Sequence, residues 1–163
     1  MTMRFLLRSL KDSWKITAGL AMKKVIRDDI LCRELFFDSG PGDDAASRYN
    51  GVTDEDIKRY QANFERDSMA MIDLGDLAGK LPSKSTVNGI AEFIIDKDFD
   101  KPCLVVGAAD DFIVDNEGVI ESARYFAVQD EVVTVDSAHD VMLGGKWKNC
   151  AKELETWLQT NFA

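Results

Sequence analysis

One histidine, three cysteines and three prolines are all that 163 residues hold of those types. A lone His139 leaves too few nitrogen and sulfur ligands for a zinc site, which gathers three or four. Cys32, Cys103 and Cys150 are odd in number and nowhere spaced C-x-x-C, which argues against a disulfide framework and for a reducing compartment. No apolar run approaches the roughly 20 residues of a bilayer span; the longest, Leu104 to Ala109, is interrupted by Gly107. Secretion is not expected either, because Lys11, Asp12 and Lys15 break the apolar core a signal peptide needs. Positive charge is also scarce: 20 basic residues face 29 acidic ones, for a net −9. Without a general basic surface to displace phosphate counterions, a nucleic-acid module is excluded. What remains is a soluble globular chain of one-domain size, cytoplasmic or organellar.

The charge is unevenly placed. Residues 1–27 hold Arg4, Arg8, Lys11, Lys15, Lys23, Lys24 and Arg27 against Asp12 alone, a local +6, so the other 136 residues carry −15. A surface helix with a buried face of Phe5, Leu6, Leu10, Trp14 and Ile16 accounts for this stretch. A transit peptide, or contact with an anionic membrane surface through residues 1–27, is the alternative.

Helical periodicity fills the first half. Leu6, Leu7, Leu10 and Trp14 form one run, Ala18, Ala21, Met22, Val25 and Ile26 a second, and residues 30–37 a third. Pro41 and its neighbouring glycines end any helix there. Thr53 with Asp56 predicts a new helix start, with Ile57, Tyr60, Phe64, Met71 and Ile72 on one face to about Leu74. Residues 75–90 read as a loop. The second half changes period. Residues 102–107 and 131–135 are short β-branched runs that predict strands, and 91–95 is a third candidate. A helix capped by Asp115 or Asn116 separates the two strands and buries Ile120, Ala123 and Phe126. A second helix, marked by Trp147, Cys150, Leu154, Trp157, Leu158 and Asn161 or Phe162, follows them. Strand, helix, strand, helix is an α/β unit with parallel strands and a right-handed crossover. Two or three parallel strands are few for a self-sufficient sheet, so either the early helices wrap them in an unusual way or part of the sheet is missing.

Functional side chains of open α/β sheets gather beyond the carboxyl ends of strands. Asp110 and Asp111 follow the first strand, and His139 and Asp140 follow the second, so parallel pairing brings both loops to one rim. An aspartate orienting an imidazole is the acid–base half of a Ser-His-Asp triad. A helix-capping carboxylate and a solvated histidine would look the same in sequence. Other clusters are weaker. Asp96-Lys-Asp98-Phe-Asp100 opens like a calcium loop, but Lys101 and Gly107 stand where that loop needs glycine and glutamate. Asp54, Glu55 and Asp56 suit the first turn of a helix.

The run PCLVVGAADDFIVD, then AHDVML, then Trp147-x-x-x-Ala-x-x-Leu-x-x-Trp157-Leu, resembles the C-terminal end of an α/β-hydrolase, closest to the lysophospholipase and monoacylglycerol-lipase-like branch. The likeness spans about residues 101–160, and residues 1–80 are similar to the family's mobile helical cap, chiefly at Arg33-Glu-Leu-Phe-Phe37. It implies a truncated α/β-hydrolase fold: a cap-like region over 1–80, and the C-terminal portion of the core over 81–163. It implies carboxylic-ester hydrolysis with His139 as base and Asp111 as the acid that orients it. Asp111 is the better fit because one variable residue and two aliphatics follow it, with Asp110 as the alternative; Asp140 fits a local acceptor. Phe36, Phe37 and Trp14 would line an acyl channel for a hydrophobic ester substrate, with no cofactor and no metal.

The pattern is incomplete. No G-x-S-x-G nucleophile turn and no HGGG-like oxyanion segment occurs in the 163 residues. Ser39-Gly-Pro-Gly has no strand before it, and Ser137 shares the histidine's own turn. By the family's order the nucleophile and first strands would precede Met1. The chain is therefore expected to be inactive alone unless a separate N-terminal chain completes the site; the alternative is a non-catalytic fragment or interaction module that pairs with a partner or a second copy through its exposed sheet edge.

Overall fold

The computed structural model describes residues 9–38, 40, 48, 49, 51–67, 89, 103–126, 128 and 131–162. Helix α1 spans Leu10–Leu20 and starts at Ser9, whose side chain accepts from the Asp12 backbone N–H. It ends earlier than the periodicity predicts. Lys23 takes a left-handed backbone (φ 57°), so Val25 and Ile26 fall in a short 3-10 turn, Lys24–Ile26, instead of extending a helix. Helix α2, Asp29–Phe36, is capped by Asp28, which accepts from Leu31 N–H at 2.9 Å. Helix α3, Asp54–Asp67, opens with the expected reciprocal cap. Asp56 N–H donates to Thr53 Oγ1, and Thr53 N–H to the Asp56 carboxylate, each at 3.1 Å.

These helices close on a shared core of Ile16, Val25, Cys32, Leu35, Phe37, Val52, Ile57 and Tyr60. Arg33 ties α2 to α3 by donating to the Val52 carbonyl and the Asp54 carboxylate, both at 2.6 Å. Of the described residues on the predicted buried face of α1, only Ile16 is buried. Leu10 is 88% and Trp14 62% exposed, while Ser13, Ile16, Ala18 and Gly19 face inward. A Cβ on Gly19 would run into Leu35 Cδ1, so the missing side chain is what lets α1 and α2 approach. Small residues join Ile16 on this face, and Leu10 and Trp14 are left outside.

The second half is the expected α/β unit. Strand β1 (Val105–Ala108), helix α4 (Asn116–Phe126), strand β2 (Val132–Val135) and helix α5 (Trp147–Phe162) follow in order. The strands are parallel, with Val105 opposite Val132 and Ala108 opposite Val135. β1 begins later than predicted and is only half-covered, with Gly107 its one buried residue. A Cβ there would meet Val119 Cγ2 at 2.8 Å, so Gly107 sets how closely α4 packs on the strand. Of the two cap candidates it is Asp115 that caps α4, accepting from Gly118 N–H at 2.8 Å. Val119 and Ala123 are buried, but Phe126, predicted inside, is 39% exposed. The third-strand candidate at 91–95, the loop at 75–90, the calcium-like run at 96–101, Phe5, Leu6, and the helix extension to Leu74 lie outside the described residues. Among those described, no helix is long and apolar enough to cross a membrane.

Cys32 sits at the centre of the helical core, and burial, with Asp29 nearby, pushes its thiol up to about 12. At pH 8 its reactive thiolate is then a trace species. In a time course with a thiol reagent, half-exposed Cys103 and Cys150 should react first and Cys32 only on unfolding.

Candidate acid–base site

Beyond the strand tips the two chains stay zipped. Ala109 N–H donates to the Val135 carbonyl at 2.9 Å, and Asp110 N–H to the Ser137 carbonyl at 3.1 Å. This two-residue extension delivers Asp111 and His139 to the same rim. His139 Nδ1 lies 2.8 Å from Asp111 Oδ1 and 2.9 Å from Oδ2. Of the two adjacent aspartates it is Asp111 that meets the ring; Asp110 is exposed and meets the second loop through its backbone alone.

Asp111 is held from behind. Its Oδ1 also accepts from Ile113 N–H and Val114 N–H, both at 2.8 Å, and its side chain is 9% exposed. A carboxylate so fixed only accepts, so Nδ1 donates the proton of that contact. A neutral His139 therefore carries its free lone pair on Nε2. Among the described residues no other hydrogen bond reaches the ring, whose side chain is 28% exposed. The arrangement can abstract a proton at Nε2 and stabilise the resulting imidazolium through Asp111.

The helical region grips the histidine turn at two points separated widely in sequence. Asp140 N–H donates to the Phe36 carbonyl at 3.0 Å, and Tyr60 Oη–H to the Leu143 carbonyl at 2.9 Å. The Phe36 ring lies 5.8 Å from the imidazole, centroid to centroid. Of the three residues expected along an acyl channel, only Phe36 reaches the site. Phe37 is fully buried against Tyr60, at a centroid separation of 5.5 Å, and Trp14 points to solvent. Nothing local in the sequence marks Tyr60 as a site residue, since its partner lies 83 positions away. A cavity of about 510 Å³ is lined by Asp111 together with Asp38, Arg48, Asp110 and Phe112. Arg48 is held there by Asp38 at 2.9 Å.

Ser137 is 1% exposed beneath the turn and lends its carbonyl to Asp110, which does not suit a nucleophile. Among the described residues, no cluster of three or more histidine, cysteine or acidic side chains could hold a metal ion.

Asp140 is a local acceptor, as expected, but a costly one. Burial raises its carboxyl above the ordinary range, while Leu143 N–H, His139 and Met142 N–H pull the other way; Oδ1 is buried without a partner. A carboxyl with a raised folded value destabilises the fold as pH climbs from its unfolded value through its folded one. Asp140→Asn should therefore be the more stable chain at neutral pH, with the gap closing below pH 3.8, as read by urea denaturation across pH. No family model, curated protein or solved structure matches this chain.

Proposed function

We propose that Asp111 and His139 are the acid and base of a serine ester hydrolase of the α/β-hydrolase type, similar to the lysophospholipase and monoacylglycerol-lipase-like branch. On this reading residues 1–80 are the cap and 81–163 the C-terminal part of the core. The nucleophilic serine and oxyanion donors come from polypeptide outside these 163 residues. The observation that carries the proposal is the 2.8 Å contact between His139 Nδ1 and a carboxylate fixed by two backbone donors. His139 Nε2 would take the serine proton during attack on the ester carbonyl and return it to the departing alcohol. Asp111 would keep Nε2 bare beforehand and balance the imidazolium afterwards. The Phe36 ring beside the imidazole suits a lipid or other hydrophobic acyl ester. Loss of a triad nucleophile alone costs about 10⁶ in turnover, so the isolated chain should neither hydrolyse esters nor label with a fluorophosphonate.

A chimera tests the reading. The strands, nucleophile turn and oxyanion segment of a lysophospholipase-type hydrolase are fused ahead of residues 1–163. The grafted serine should label with a fluorophosphonate and turn over a long-chain ester, and His139→Ala should remove both activities. Labelling and turnover that ignore His139 would refute the assignment. A second reading, a non-catalytic module that binds a partner through its sheet edge, is favoured by one observation. Among the described residues β1 and β2 pair only with each other. A chimera that folds but stays silent would support that reading.

A further inference from the structure

Helix α5 runs 16 residues, yet none of its described side chains is buried. Its half-buried residues, Cys150, Glu153, Trp157 and Asn161, lie on one flank. Beside that flank, Trp147, Ala151, Leu154 and Leu158 follow one another at intervals of four, three and four. This is the seam spacing of a helix that packs against another helix. The stripe is open: Trp147 is 48% exposed, and Leu154 and Leu158 are each 45% exposed. Met142, at 75%, extends it past the N-terminal end, where it edges a cleft together with Trp147.

The geometry points to a second copy of this chain as the occupant, with the two α5 helices packed antiparallel about a two-fold axis near residues 152 and 153. In that register Trp147 lies on the partner's Leu158, and Ala151 on the partner's Leu154. A large residue therefore meets a medium one at the ends, and a small residue lets the axes approach at the middle. The charges beside the seam select this arrangement over a parallel one. Exposed Lys148 and Glu155 each follow a seam residue by one position, and such positions face their own counterparts across an antiparallel pair. Lys148 thus meets the partner's Glu155, and the two-fold repeats the contact. A parallel, in-register pair would bring no such complement, and the aligned helix dipoles would oppose it. The leucines and the tryptophan supply the apolar centre and the two ion pairs the polar rim, in an interface at the small end of specific ones. The inference is independent of the catalytic reading, because it uses none of the residues at the Asp111–His139 rim.

Sedimentation velocity across a concentration series tests it, with far-UV circular dichroism as the check on folding. The chain should pass from monomer to dimer with rising concentration, and Leu154→Asp should stay monomeric. Lys148→Glu and Glu155→Lys should each weaken the dimer about tenfold, since each turns two attractive contacts repulsive. The double exchange should restore it. Both exchanged positions are exposed, so these variants stay informative even if Leu154→Asp fails to fold. A chain monomeric throughout would overturn the proposal. So would a dimer indifferent to the charge exchanges, or one that survives Leu154→Asp and so uses the sheet edge.

Discussion

Asp111→Asn should invert the proton placement on His139 and, in the chimera carrying a nucleophile, cut ester turnover by about 10⁴ while leaving the fold intact. The inversion follows from which oxygen is anchored. Oδ1 accepts from Ile113 N–H and Val114 N–H at 2.8 Å, and only an oxygen can do so. The asparagine amide must therefore keep its oxygen at that position and place its NH₂ where Oδ2 stood, 2.9 Å from Nδ1. Nδ1 then faces both an amide oxygen already engaged by two backbone donors, at 2.8 Å, and an NH₂ with no other acceptor among the described residues; the free donor decides the contact, so Nδ1 becomes its acceptor and the ring proton moves to Nε2. The general base is lost although no atom has moved appreciably. Asp111→Glu should fare no better, because the longer side chain cannot serve both backbone donors and the ring from the same loop. Wild-type turnover in Asp111→Asn would mean that the carboxylate only caps the 111–114 turn.

The second large effect is on stability. Phe37→Ala should cost about 3–5 kcal/mol, a sizeable part of the 5–15 kcal/mol that holds a typical domain together. Phe37 is completely buried, and its ring lies 5.5 Å from Tyr60 and 6.2 Å from Phe36. The cavity left would sit at the end of α2, under the carbonyl that receives Asp140 N–H. For a chain of this length, such a loss lowers the melting temperature by roughly 10 °C. Urea denaturation gives the free energy directly, and a loss below about 1 kcal/mol would show that the site collapses around the smaller side chain.

The α/β half was readable because its signals are local. Val105-Val106 and Val132-Val133 mark the strands, and Asp115 announces α4 through a cap three residues away. The meeting of Asp111 and His139 was readable too, since parallel neighbouring strands must open at one edge whatever surrounds them. The helical half was harder. Leu10 and Trp14 look like a buried face, but Gly19 and Ser13 make the contact, and hydrophobic periodicity gives no weight to a glycine that admits Leu35. Lys23 stops α1 through a left-handed backbone that lysine seldom adopts, so no sequence signal announced the break. The grip of Phe36 and Tyr60 on the histidine turn joins residues at least 83 positions apart, through backbone carbonyls that carry no residue signature.

Because the chain contains a single histidine, one ¹⁵N-edited imidazole spectrum reads the proposed general base with no overlap. At a pH where the ring is neutral, the account predicts a proton bonded to Nδ1 and a bare Nε2 in the native chain, and the reverse in Asp111→Asn. A native ring protonated on Nε2, or a spectrum that the substitution leaves unchanged, would contradict it.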